Sequence, residues 1–264
     1  MKKFFRFVGY AVLVYVLLGF LVNLLKLAGG GRSSQDQTTY LDGRDRLHER
    51  CWVTPSSRLS FCASYESEDR VSRMLAAERG KIAGRGSAYN QFWGSLYRQL
   101  VDQNSAYIAY VSDSLRQVSI QSGLSHNDFA ELVVSFVQDI PYSFVIGQEC
   151  TARETSSHPC VGNIRFGILS PYEFLHTLHG DCDTRAVLLF AMFEYLGYKP
   201  MIVISNEYAH AMLALNIPSS GKFLTHRRDK YYFWETTATG WSVGMLPPDY
   251  NNVNYWKIAL VNEL

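Results

Sequence analysis

The spacing of hydrophobic residues predicts three helices in the first half of the chain. Almost every residue from 7 to 25 is apolar, and at about 1.5 Å per residue this run is long enough to cross a membrane. Between residues 88 and 121 apolar positions recur at steps of three and four, which predicts a long amphipathic helix. Ser125 and Asp128 give the N-cap signal of a further helix, and Pro141 ends it.

The second half of the chain predicts a helix followed by three strands. Cys182 begins an apolar helix that ends at Gly197. Residues 200–204, 209–217 and 230–237 then show the short apolar runs or the alternation that is typical of strands. We expect an α+β core in which the helix bearing Cys182 packs on an antiparallel sheet.

These patterns divide the chain into four parts. Glycines and polar residues after the first apolar run predict a tether, and a short helical pattern over residues 64–79 precedes the long helix. The predicted parts are an N-terminal transmembrane anchor (1–28), a flexible tether (29–45), a helical accessory segment (46–124) and a candidate catalytic domain (125–264).

The charges of the chain bear on its partners and its location. The net charge is +1, from 25 basic and 24 acidic residues, so we expect no nucleic-acid partner. Lys2, Lys3 and Arg6 precede the apolar run, which predicts a single-pass membrane protein with a cytoplasmic N terminus and a periplasmic or extracellular catalytic domain. A cleaved signal peptide is the alternative, but Lys26 stands near Ala28 where a cleavage site needs a small residue.

Five cysteines are present, and four of them form two close pairs in the sequence. Cys51 and Cys62 bracket one short loop, and Cys150 and Cys160 bracket another, which predicts two disulfides in an oxidising compartment. Four cysteines allow three connectivities, so the spacing alone leaves the pairing open. Cys182 remains as a free thiol, either buried and inert or reactive.

Cys182, His210 and Glu235 are the candidate catalytic residues. Cys182 lies in the first turn of a helix, where the dipole and the free N–H groups favour a thiolate and can hold an oxyanion. His210 and Glu235 fall on predicted neighbouring strands. If those strands pack on the helix, the three side chains take the roles of nucleophile, base and orienting carboxylate.

Five further polar or aromatic residues near this set need a role. Asp181 and Asp183 flank the thiol and would raise its pKa, unless they point away or cap the helix, and we expect capping. Gln138, Tyr142 and Trp234 are candidates for the oxyanion site or for an acyl channel, although each is more often part of a core.

Several motifs together resemble the transglutaminase-like superfamily, and especially the bacterial transglutaminase-like cysteine proteinases. The matching segments are residues 138–142, 171–175, 180–183, 196–198 and 210–212. The resemblance spans about residues 125 to 240 and implies a papain-like fold with a Cys-His-Asp/Glu triad. Glu235 stands where the superfamily commonly has Asp, and Thr184-Arg185 replaces an acidic and aromatic pair, which leaves calcium dependence open.

The expected function is therefore a membrane-anchored cysteine protease or amidase that acts on a protein or peptide through a thioester. Transfer of the acyl group to an amine and a catalytically silent envelope binding module are the alternatives. Residues 46–124 are a candidate surface for an envelope protein partner. His176, His179 and Cys182 have a spacing that suits zinc, but Gly180 interrupts their helix, so no metal or other cofactor is expected.

Overall fold

The computed structural model describes residues 36–41 and 43–262. The predicted anchor, residues 1–28, lies outside the described residues, as do residues 29–35 and 42 of the predicted tether. The prediction of a flexible tether is wrong over Gln37–Tyr40, which form a strand. Within the described chain, no helix is both long and apolar enough to cross a membrane. The predictions of a fold with a transmembrane helix and of a single-pass membrane location are therefore wrong for the described part of the protein.

The first elements form an antiparallel sheet of three strands in the order β1-β2-β3. The strands are β1 (Gln37–Tyr40), β2 (Arg46–Val53) and β3 (Ser60–Ser67). The helical accessory segment predicted for residues 46–124 is thus wrong over residues 46–67. The buried positions of β2 alternate as in any strand, but they are His48, Arg50 and Trp52. Two of these three are polar, so hydrophobicity alone did not show the alternation.

Three helices follow this sheet. They are α1 (Asp69–Arg79), α2 (Tyr89–Ser122) and α3 (His126–Gln138). The predicted long helix is confirmed to within one residue at each end, and it stops at Gly123, whose φ of 63° is a conformation that favours glycine. Ser125 caps α3 as predicted, because its side chain accepts a hydrogen bond from the backbone N–H of Asp128.

A region of short elements connects α3 to the second half. It contains β4 (Phe144–Val145), α4 (Ala152–Thr155) and β5 (Cys160–Val161), and β4 and β5 pair in parallel. Both predicted disulfides form. The Cys51–Cys62 bond joins opposite residues of β2 and β3, and the Cys150–Cys160 bond closes the loop around α4. Such bonds persist in oxidising compartments.

The second half contains two helices and an antiparallel sheet of five strands. The helices are α5 (Pro171–Thr177) and α6 (Cys182–Tyr195). The strands are β6 (Pro200–Ser205), β7 (His210–Leu215), β8 (Phe223–His226), β9 (Asp229–Trp234) and β10 (Lys257–Val261), in the spatial order β10-β6-β7-β9-β8. The three predicted strands correspond to β6, β7 and β9.

Helix α6 packs on one face of this sheet, at the centre of the largest hydrophobic cluster. That cluster also takes in Trp52 of β2, Leu96 of α2 and Phe136 of α3, so residues before and after position 125 share one core. A second cluster, which includes Phe233 and Trp256, covers the opposite face of the sheet. Burial of α6 on nearly all sides explains why its sequence is apolar almost throughout.

Candidate active site

Cys182 is the first residue of α6 and the only cysteine outside a disulfide. Asp181 caps the helix, since its carboxylate accepts a hydrogen bond from the Thr184 N–H at 3.1 Å. The expected capping role of Asp181 is confirmed. The Cys182 side chain is 7% exposed, so it reaches solvent only through the adjoining cleft.

His210 and Glu235 lie at the same end of the five-stranded sheet. His210 begins β7, and Glu235 directly follows β9, the antiparallel neighbour of β7. Nε2 of His210 is 2.9 Å from Oε2 of Glu235. The structure thus brings the predicted base and the predicted orienting carboxylate into direct contact.

The Glu235 carboxylate is buried and ionised. Its Oε1 accepts hydrogen bonds from the N–H groups of Thr236 and Thr237, both at 2.8 Å, and from the Thr237 hydroxyl at 2.6 Å. Burial raises the pKa of Glu235, but the hydrogen bond and charge of His210, together with the bonds from Thr237, lower it further than burial raises it. Sequence reasoning missed Thr237, because a threonine two residues beyond a strand has no distinctive pattern.

An ionised Glu235 fixes the tautomer of His210. A carboxylate can only accept a hydrogen bond, so Nε2 must carry the proton and Nδ1 has a free lone pair. Cys182 and His210 line the same cleft, and a backbone hydrogen bond from Ala211, the residue after His210, lowers the pKa of the thiol. The Cys182 thiol therefore lies beside the start of β7 and shares its cleft with the His210 side chain.

The thiol itself is not pre-ionised by its surroundings. Burial raises the pKa of Cys182 well above its usual value, and the carboxylates of Asp183 and Asp181 raise it further. The thiol donates a weak hydrogen bond to Oδ2 of Asp183 at 3.7 Å, and Tyr97 donates its hydroxyl to the same carboxylate. Burial and the two carboxylates therefore oppose the thiolate that the helix terminus is expected to favour, and Asp183, unlike Asp181, accepts a hydrogen bond from the thiol.

Arg185 ties together the segments that carry these residues. Its side chain is fully buried in α6, and its guanidinium donates hydrogen bonds to five backbone carbonyls in three segments of the chain. The acceptors are Ile140 at 2.6 Å, Val137 at 2.7 Å, Pro141 at 2.9 Å, Gly180 at 3.1 Å and Thr236 at 3.3 Å. A charged residue inside an otherwise apolar helix indicates buried hydrogen-bond partners, and this signal could have identified Arg185 from the sequence.

Two of the three predicted oxyanion candidates are committed elsewhere. The Gln138 side-chain amide donates to the carbonyls of Glu235 at 2.6 Å and Trp241 at 2.9 Å. The Trp234 indole N–H donates to the Trp241 carbonyl at 3.1 Å. Both side chains therefore brace the backbone around Glu235 and offer no proton to a substrate.

Two cavities meet at His210. One has a volume of about 380 Å³, contains the Cys182 side chain in its wall and is rich in aromatic rings; these belong to Tyr142, Phe144, His158, Tyr208 and Tyr250. The other has a volume of about 350 Å³ and is lined by Trp93, Phe166, Asp181 and Asp183, among others. The His210 side chain therefore borders both cavities.

The residues considered for zinc do not converge. His176 Nδ1 lies 2.9 Å from the Ser67 hydroxyl, and His179 Nδ1 lies 2.9 Å from the Ser143 hydroxyl. In the described part of the chain, no group of three or more His, Cys, Asp or Glu side chains is placed to hold a metal ion.

Comparisons of the chain with protein-family models, curated proteins and solved structures give no match. The interpretation of the site consequently depends on the geometry of this chain's own residues.

Proposed function

We propose that this protein is a cysteine hydrolase that cleaves an amide of a protein or peptide through a thioester on Cys182. One observation carries the proposal. The only free cysteine begins a buried helix and shares a cleft with a histidine whose other ring nitrogen is held, at 2.9 Å, by an ionised carboxylate. These are the nucleophile, base and orienting group that acyl transfer requires.

In the proposed reaction, Nδ1 of His210 takes the thiol proton as Sγ bonds to the substrate carbonyl carbon. The carbonyl electron pair moves to oxygen, and the negative charge of Glu235 stabilises the imidazolium that forms. When the carbonyl re-forms, the bond from carbon to nitrogen breaks, and the leaving nitrogen takes the proton from His210. Water then attacks the thioester with His210 as base, which releases a carboxylic acid and restores the thiol.

The raised pKa of Cys182 makes His210 indispensable in this scheme. A thiol that stays protonated near neutral pH reacts only when a base removes its proton during attack. The structure therefore supports general-base activation better than a standing thiolate.

Alkylation of the purified full-length protein with iodoacetamide tests the proposal. Because four of the five cysteines form disulfides, modification without a reductant reports on Cys182 alone. We expect His210→Ala to slow alkylation near neutral pH by about 100-fold. Cys182→Ala is the matched control and should take up no label. A rate that is indifferent to His210 would refute the proposed enzyme and leave the silent binding module.

Transfer to an amine is a second outcome of the same chemistry, since either water or an amine can attack the thioester. Turnover of p-nitrophenyl acetate in the presence of cadaverine distinguishes them, with the products identified by mass spectrometry. Acetate as the product supports the proposed hydrolase. N-acetylcadaverine formed at a Cys182-dependent rate would show an acyltransferase instead.

A further inference from the structure

The proposed acyl transfer creates a negative oxygen beside Cys182, and that oxygen needs hydrogen-bond donors. The backbone N–H of Cys182 is one candidate, because the first N–H groups of a helix have no acceptor within the helix. Two later N–H groups of the first turn are already used. The Thr184 N–H bonds to the Asp181 side chain, and the Arg185 N–H bonds to the Asp181 carbonyl.

A side chain in the cleft can supply a further donor. Gln138 and Trp234 are excluded because their N–H groups are committed to backbone carbonyls. Tyr142 remains. It lines the cavity of about 380 Å³ together with Cys182 and His210. In the described chain, no hydrogen-bond partner is found for its hydroxyl.

The position of Tyr142 is fixed from three sides. Arg185 holds the preceding carbonyl, that of Pro141, at 2.9 Å, and its guanidinium lies over the Tyr142 ring at 5.7 Å from the centroid. Phe144 and His158 pack edge-on against the same ring, with centroid distances of 5.7 and 5.4 Å. A donor that is already held in place costs little reorganisation during reaction.

The phenol of Tyr142 also keeps its proton. Burial raises the pKa of Tyr142, and the negative charges that Cys182, Asp181 and Asp183 can carry raise it further. Negative charge at the thiol therefore strengthens the hold of the phenol on its proton, as an oxyanion donor requires.

We propose that Tyr142 is a catalytic residue that donates its phenolic O–H to the oxyanion formed during acylation of Cys182, together with the Cys182 backbone N–H. The proposal rests on the proposed hydrolase function. It adds a fourth side chain to the Cys182, His210 and Glu235 set.

Two reactions of the same thiol separate this role from a structural one. Iodoacetamide alkylates the thiol by displacement of iodide, which forms no oxyanion, whereas p-nitrophenyl acetate acylates the thiol through a tetrahedral oxyanion. We expect Tyr142→Phe to slow acylation, measured as p-nitrophenol release, by about 10- to 100-fold. Alkylation should stay within about two-fold of the wild type, because the thiol and its base are untouched.

Tyr250→Phe is the matched control, since it removes another tyrosine hydroxyl from the wall of the same cavity. Whatever it does to the two rates, their ratio should stay at the wild-type value. A fall of both rates together in Tyr142→Phe would overturn the proposal and make Tyr142 a residue that only orders the thiol. A thiol that is alkylated with His210 dependence but never acylated would also overturn it. Alkylation that does not depend on His210 would instead refute the proposed function itself.

Discussion

Two buried clusters in this molecule each combine a thiol or hydroxyl group, an imidazole and a carboxylate. The cysteine cluster is Cys182, His210 and Glu235. The serine cluster is Ser67 at the end of β3, His176 of α5 and Asp69 of α1. Ser67 Oγ lies 2.9 Å from Nδ1 of His176, whose Nε2 lies 3.8 Å from the Asp69 carboxylate. A list of residue types would give both clusters the same chemistry.

The clusters differ in what surrounds the nucleophile. The Ser67 hydroxyl is 2% exposed and lies between two imidazoles, since His48 Nε2 is 3.3 Å away on its other side. The Asp69 carboxylate is also engaged by Arg73 at 2.9 Å. Cys182, in contrast, is the first residue of a helix and lies beside its free N–H groups, although both Ser67 and Cys182 line a cavity. The difference teaches that a triad is recognised by a closely held carboxylate and by hydrogen-bond donors beside the nucleophile, because an adjoining cavity does not distinguish the two clusters.

The largest expected effect comes from removing each nucleophile. Cys182→Ala should reduce p-nitrophenol release from p-nitrophenyl acetate to the rate in buffer alone, because no other thiol is free. Ser67→Ala should leave the rate within about two-fold of the wild type. Loss of activity on removal of Ser67, with Cys182 still alkylated normally, would reverse the assignment of the two clusters.

Removal of the histidine of each cluster should also change the rate of acylation to very different extents. His210→Ala should slow acylation by about 1000-fold, since a protonated thiol then has no base. His176→Ala should slow it little but lower the free energy of unfolding, because its partner Ser67 is left buried. Steady-state kinetics and urea unfolding of both variants check this. Equal losses of rate would show that the clusters work as one.

Glu235→Gln should lower the rate of acylation about 100-fold, because it changes the tautomer of His210. Three donors from Thr236 and Thr237 occupy Oε1, so the new NH₂ group must face Nε2 of His210. It forces Nε2 to accept and places the ring proton on Nδ1, where the base is needed. The rate of acylation and the NMR chemical shifts of the ring nitrogens report this directly. A wild-type rate would show that Glu235 does not orient the base.

His48, which lies beside the serine cluster, should make the stability of the protein depend on pH. Burial, followed by the charge of Arg46, lowers the pKa of His48 from 6.5 to about 4. Between these values the unfolded chain binds more protons, so the free energy of unfolding falls as the pH drops from 6.5 towards 4. The loss from His48 alone is on the order of 2 kcal/mol by pH 5. Urea unfolding at pH 7 and pH 5 measures the loss of free energy of unfolding, which should be smaller in His48→Gln than in the wild type. An equal loss in the variant would show that His48 is not its cause.

The sequence predicted those parts of the fold whose pattern is local. Helix α2 has a regular apolar stripe, and β6, β7 and β9 have short apolar runs, so each was found close to its true bounds. Strand β2 was missed because its buried face carries His48 and Arg50, which find partners only after folding.

The same distinction applies to the site. Cys182, His210 and Glu235 could be chosen because a cysteine at a helix start and polar residues on strands are visible in the sequence. The contact between Asp183 and the thiol could not be chosen in this way, since it depends on the rotation of the first turn and on Tyr97 from a distant helix. Local propensity specifies elements, and the electrostatics of a buried group follow from its neighbours in space.

The buried guanidinium of Arg185 also determines how the site responds to its environment. Its acceptors are peptide carbonyls, which neither titrate nor attract counterions, so neither mild acid nor high salt removes them as partners. The segments that carry Cys182, Glu235 and Tyr142 are joined through this one side chain, so a displacement of one segment strains its hydrogen bonds to the others. A site assembled in this way keeps its internal distances in ionic conditions that would loosen one assembled from ion pairs.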